Sequence, residues 1–201
     1  MIRYSVNKYN FNIKGVIHIG AHYGQENNIY EDLGVENRMF FEPLKSNFKV
    51  LKENVSDKYT LINKALGNEE KSISMFVERE NKGQSSSILK PKRVVTQYPW
   101  IKFEEEEIVE MTTLDRVNFN RGKFNFINID TQGYELEVFR GAKETLKSID
   151  YIISEINRDE LYEGCAQVNE LEDFLYTYNF KLVETNWGEG SWGDGIFVKI
   201  K

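Results

Sequence analysis

The residues with the most chemistry in this chain stand just after its apolar runs. Gly20-Ala21-His22-Tyr23-Gly24 follows Val16-Ile17-His18-Ile19, and Glu42 follows Met39-Phe40-Phe41. Glycines permit a tight turn and let the backbone approach a ligand closely at a helix start. An acidic side chain about 20 residues beyond such a loop is placed to accept hydrogen bonds from ribose hydroxyls. Asn63-Lys64-Ala65-Leu66-Gly67 and Asp130-Thr131-Gln132-Gly133 follow two further runs. One at a time, a strand-to-helix turn or a helix cap accounts for these residues. Together, at the carboxyl ends of strands in one parallel sheet, they describe a ligand site.

The pattern disfavours NAD and hence an NAD-linked oxidoreductase, because GxGxxG is absent. Tyr98 and Lys102 have the YxxxK spacing of one dehydrogenase class, but Pro99 breaks the helix which that motif needs.

The elements that must hold these residues alternate. Strands are expected at 16–19, 39–41 and 59–62, with helices at 27–33 and 44–54, where Leu44, Phe48 and Leu51 fall at helical spacing. Residues 72–77 alternate like a half-exposed strand and 81–97 are polar and serine-rich, so 68–112 reads as an insertion or lid. The runs Lys90 to Arg93 and Glu104 to Glu107 read as solvated surface. Alternation resumes with strands at 124–129 and 151–156 and helices at 134–146 and 168–178. Strands at 180–184 and 196–200 close the chain, the last one antiparallel. Repeated βα units imply an α/β fold, a mostly parallel sheet with helices on both faces.

With 201 residues and 40% hydrophobic content the chain has material for a single domain, 1–201. A net charge of −6 lacks the basic footprint of a nucleic-acid binder, so no nucleic acid is expected as partner. One cysteine, Cys165, and two histidines leave no disulfide framework and no thiolate or multi-histidine zinc site. The cytoplasm is the expected location, with no signal peptide in residues 1–14 and no membrane span.

The blocks 16–24, Phe41-Glu42-Pro43, Thr113-Leu114-Asp115 and Ile129-Asp130-Thr131-Gln132-Gly133-Tyr134-Glu135-Leu136-Glu137-Val138 occur in the order found in the FkbM family of methyltransferases. The chain resembles that family from about residue 15 to its end; Arg140-Gly141-Ala142, Ser85-Ser86-Ser87 and Gly193-Asp194-Gly195 also match. The resemblance implies a Rossmann-like class I methyltransferase fold, a seven-stranded sheet in the order 3-2-1-4-5-7-6, S-adenosylmethionine as cofactor, and O-methylation of a sugar or glycan hydroxyl. A non-catalytic nucleotide-binding module of the same fold is the other alternative, and intact Glu42 and Asp130 speak for the enzyme. The first loop departs from the family's common Asp-x-Gly-Ala-Asn form, with His18 in place of aspartate and His22 in place of asparagine.

On this reading Gly20, Ala21, His22, Gly24, Glu42, Pro43, Asn63, Ala65, Ser86 and Asp130 bind the donor. Asp130 is the first candidate for the base that takes up the acceptor's proton, with donor binding as its rival role; Glu155 and His22 are the next candidates. Asp130 with Glu155 could instead hold magnesium, but no metal is expected. Gln132, Tyr162, Trp192 and Asp194 are expected on the acceptor side. Trp187 and Trp192 stand in a glycine-rich loop suited to stacking on a sugar face, or else in the core. Cys165 is expected near the acceptor pocket without thiol chemistry, and His18 as a satisfied structural histidine.

Overall fold

The computed structural model describes residues 1–200. Ten strands alternate with seven α-helices. The strands are β1 (Gly15–Ile19), β2 (Asn37–Phe41), β3 (Thr60–Ile62), β4 (Ala65–Leu66), β5 (Lys71–Glu78), β6 (Phe103–Thr112), β7 (Phe126–Ile129), β8 (Tyr151–Asn157), β9 (Phe180–Trp187) and β10 (Trp192–Lys199). The helices are α1 (Ile2–Tyr9), α2 (Asn27–Asp32), α3 (Lys45–Asn54), α4 (Val94–Gln97), α5 (Glu135–Arg140), α6 (Lys143–Leu146) and α7 (Val168–Tyr176).

Seven strands form the main sheet in the order β3-β2-β1-β7-β8-β10-β9. Counted within that sheet alone this is 3-2-1-4-5-7-6; the labels differ because β4, β5 and β6 make a separate three-stranded sheet, which the sequence reading lacks. Pairing is parallel from β3 to β8, and β10 runs antiparallel to both neighbours.

The central strands are buried on both faces, and residue alternation sorts them between two cores. Ile17, Ile19, Ile127, Ile129, Ile152 and Ile156 face α5, α6, α7 and the small sheet. Val16, Phe126 and Ile153 face α1, α2 and α3, through Ile2, Tyr30 and Leu51. Side-chain direction alternates along a strand, so contiguous apolar runs such as Gly15–Ile19 are what a sheet covered on both sides requires.

Three elements depart from expectation. Residues 2–9 form a helix, whose apolar contacts, Ile2 with Val6 and Tyr9, are too few to be conspicuous in sequence. The acidic run 104–107 lies on β6, where Glu104 and Glu106 on one face and Glu105 on the other are all exposed to solvent. The helix expected over 134–146 breaks at Gly141-Ala142. There the main chain packs so closely that a Cβ on Gly141 would lie 1.9 Å from the Gly67 carbonyl oxygen. Asp115 stabilises the restart, its carboxylate accepting from Glu144 N–H and Thr145 N–H, both at 2.8 Å.

Candidate active site

Two adjoining cavities open at the carboxyl ends of the main-sheet strands. The inner one, about 350 Å³, is lined by Gly20, Ala21, His22, Glu42, Pro43, Ala65, Ser86, Asp130 and Gln132. The outer one, about 260 Å³, is lined by Asp130, Gln132, Glu155, Tyr162 and Trp192 together with residues 81–101. Asp130 and Gln132 belong to both and mark the junction.

The inner cavity is built on close main-chain approaches. Gly20 has φ +75°, and a Cβ there would lie 1.8 Å from the Asp130 carbonyl, so the loops after β1 and β7 meet only through glycine. Glu42 accepts from His22 N–H at 2.8 Å and Leu44 N–H at 2.9 Å, which ties the loops after β1 and β2. Burial pushes its carboxyl up to about 7, against the two backbone donors that favour the charge.

Several residues assigned to the donor act indirectly. Asn63 is not part of the lining; its amide donates to the Glu42 and Pro43 carbonyls, each at 2.8 Å, and holds them in place. Gly24 turns away, with φ +77° and room for a Cβ denied by Leu51 and Val55 of α3. Ser86 lines the cavity while its Oγ accepts from Glu78 N–H at 3.0 Å. His22, offered as a base, has no free ring nitrogen: Nε2 donates to the Lys82 carbonyl and Nδ1 accepts from the Gln25 amide, both at 2.8 Å. That geometry makes it a tether between the β1 loop and residue 82. Asp194, expected on the acceptor side, lines the inner cavity instead, because β10 pairs it with Glu155 at the sheet edge. Burial, then the Asp130 charge, raises its carboxyl to about 6.

At the junction, carboxylate oxygens of Asp130, Glu135 and Glu155 lie within 4.8 Å of one another. Burial, then the Asp130 charge, drives the Glu155 carboxyl well above its ordinary range. Glu135 is pushed up to about 7, chiefly by burial. Its Oε1 accepts from Thr131 N–H at 2.7 Å and Thr131 Oγ1 at 2.9 Å, while Oε2 has no partner among the described residues. The sequence reading gave Glu135 no role although it lies inside the quoted block; a carboxylate six residues after the strand end, reaching back to the turn, was the available signal. The Gln132 amide spans the other two, donating to Asp130 Oδ1 at 2.7 Å and to Glu155. Gln132 adopts φ +55° to do so, and Tyr162 Oη lies 2.8 Å from Gln132 Oε1 and from the Ser85 carbonyl.

His18 is buried beside Tyr30 Oη and the Asn128 amide, both at 3.3 Å, and burial lowers its pKa. Cys165 is buried with its thiol pushed up by burial. Trp187 packs against the core with Arg158 over its ring at 4.0 Å, while Trp192 is open to the outer cavity. No described helix is long and apolar enough to cross a membrane.

A sheet of this order, with its ligand cavity at the carboxyl edge, defines a Rossmann-like methyltransferase. Solved structures agree at the level of fold. The putative RNA methyltransferase PH1948 from Pyrococcus horikoshii superposes with a TM-score of 0.57 at 10% identity, over 100% of this chain and 81% of that one. The ribosomal protein L11 methylase from Lactobacillus delbrueckii subsp. bulgaricus gives 0.55 at 12% identity, over 99% and 76%. Residues 18–182 match the model of the methyltransferase FkbM domain, and the chain belongs to that family. S-adenosylmethionine is accordingly its cofactor. The 2-O-methyltransferase NoeI of Sinorhizobium fredii is 34% identical over 119 residues, 58% of this chain and 48% of that protein. The chain thus matches about half the length of this curated relative.

Proposed function

We propose that the chain is an S-adenosylmethionine-dependent O-methyltransferase acting on a hydroxyl of a sugar or glycan. The observation that carries this reading is the sharing of Asp130 and Gln132 by the two cavities. A carboxylate at the meeting point of donor and acceptor spaces is where a transferred group and its acceptor oxygen come together. The similarity to a 2-O-methyltransferase supports transfer to oxygen.

The inner cavity fits the donor. Glu42 is aimed into it with lone pairs left for ribose hydroxyls, and the glycine at position 20 lets the loops after β1 and β7 close against each other beside it. When bound, S-adenosylmethionine would supply an electrophilic methyl group, with the thioether of S-adenosylhomocysteine as the leaving group. The chain's own residues must hold the acceptor oxygen at the junction and take its proton. Asp130 is the group for the second task, exposed to the cavities and oriented through Oδ1 by the Gln132 amide. Glu155 is buried beside it, and burial together with the Asp130 charge favours its neutral form, so it positions Asp130 rather than acting as base. Residues 81–101 serve as the cover over the acceptor.

The test is Asp130→Asn, which keeps the shape and removes the basic oxygen. Turnover should fall by roughly 10²-fold or more while the S-adenosylhomocysteine dissociation constant changes little. Equal losses in rate and donor affinity would make Asp130 a donor ligand. Product analysis by mass spectrometry and NMR should find an O-methyl sugar; a methyl group on nitrogen or carbon would overturn the assignment.

A further inference from the structure

We infer that the outer cavity is a subsite for an uncharged hydroxylated ring, held against Trp100 and Trp192, and that it turns away acceptors bearing phosphate or carboxylate. This rests on the transferase reading above and specifies its acceptor.

Charge is the first observation. Among the described residues lining the outer cavity, the carboxyl groups are Asp130 and Glu155, and no Lys, Arg or His accompanies them. The basic run nearby is already engaged. Lys90 pairs with Glu163 at 3.1 Å, Arg93 with Asp159 at 2.8 Å, and Lys92 with Glu160. These pairs dock the covering segment onto residues 159–163, with Lys92 N–H and Val94 N–H donating to the Leu161 carbonyl. An anionic group entering the cavity would therefore meet the Asp130 carboxylate with no cation among the lining residues to receive it.

The second observation is aromatic. Trp100 and Trp192 line the same cavity and remain 62% and 41% exposed, an unusual state for so much apolar surface. The wall they belong to is braced. Tyr98 lies edge-on to Trp100 with ring centroids 5.4 Å apart, and its hydroxyl donates to the Glu189 carbonyl of the β9–β10 loop at 2.6 Å. Gly190 in that loop has φ +107° and sits directly against the Gln97 amide and the Tyr98 hydroxyl. Indole faces suit the C–H face of a saturated ring, and the amides of Asn81, Gln84 and Gln132 on the same cavity suit its outward hydroxyls. A ring so placed reaches Asp130 at the inner end.

The experiment uses the full chain saturated with S-adenosylhomocysteine. Neutral methyl pyranosides of gluco, galacto, manno and 6-deoxy configuration are compared with the matching uronates and 6-phosphates, and with a short RNA oligonucleotide. Binding is followed by saturation-transfer NMR and tryptophan emission. At least one neutral glycoside should bind at least tenfold more tightly than its charged counterparts. Trp100→Ala and Trp192→Ala should each weaken it by about tenfold or more, with Trp192→Phe restoring part of the loss and S-adenosylhomocysteine affinity and thermal midpoint unchanged. Equal or tighter binding of charged glycosides or RNA, no neutral binder at all, or indifference to both tryptophans overturns the inference. Failure of S-adenosylhomocysteine to bind is a different result, because it sinks the transferase reading itself.

Discussion

At the scale of single residues, Glu42 and Gln132 each hold two parts of the site together. Glu42 accepts from two backbone N–H groups with its two oxygens, and the proposed ribose contact asks more of the same carboxylate. Glu42→Gln keeps one accepting oxygen and turns the other into a donor facing an N–H. Calorimetry should find S-adenosylhomocysteine binding weakened by about 1.5–3 kcal/mol, the range for a hydrogen bond to a charged group; an unchanged constant would move the ribose contact elsewhere. Gln132 bears on the metal question in the same manner. Its amide donates to Asp130 and to Glu155 and so links the two carboxyl groups without an ion. A chelator should leave turnover unchanged; loss of activity restored by magnesium would overturn this. Glu42 and Asp130 were legible because each ends an apolar run, where a parallel sheet presents its ligands. The bonding of His22 to residue 82 and the place of Asp194 were not, because they depend on how residues 79–101 fold back and how β10 registers on β8.

At the scale of elements, apolar runs and helical spacing identified the seven strands of the large sheet and four helical regions. Each of those segments carries its own burial pattern in contiguous residues. What escaped depends on distant partners. The small sheet exists because β6 pairs with β4 and β5, yet the charged stretch of β6 has no apolar face to announce it. The break between α5 and α6 is dictated by Gly67 and Asp115, remote in sequence from the helix that they interrupt. Gly141 is the hinge of that arrangement, since a methyl group there must displace the Gly67 carbonyl rather than a flexible side chain. Gly141→Ala should cost about 1–3 kcal/mol or more, the usual range for overpacking, seen as a lowered thermal midpoint. A stabilised variant, as expected for alanine in an ordinary helix, would show that residues 135–146 can straighten at no cost.

At the scale of the whole molecule, the site concentrates buried carboxyl groups whose pKa values all move the same way. Glu42 and Glu135 rise to about 7 and Asp194 to about 6, and Glu155 is driven well above its ordinary range, chiefly through burial. In the unfolded chain such groups titrate near 4–4.5. Between the two ranges the folded state binds more protons, so the stabilisation is fully present below the unfolded values and is lost as pH rises through the folded ones. The exposed Glu70, Glu160 and Glu184 shift the opposite way through surface partners, but their effect is confined to lower pH and to screened pairs. The ligand-free protein should therefore melt several degrees higher at pH 6 than at pH 8. Donor product reverses part of this trend, because the ionised Glu42 accepts from the ribose hydroxyls, and the thermal shift on adding S-adenosylhomocysteine should grow from pH 6 to pH 8. Glu42→Gln removes one titrating group and should flatten both slopes. A midpoint of the free protein that stays level or rises from pH 6 to pH 8 would mean that these carboxyls ionise without cost, with the site wetter than its burial implies.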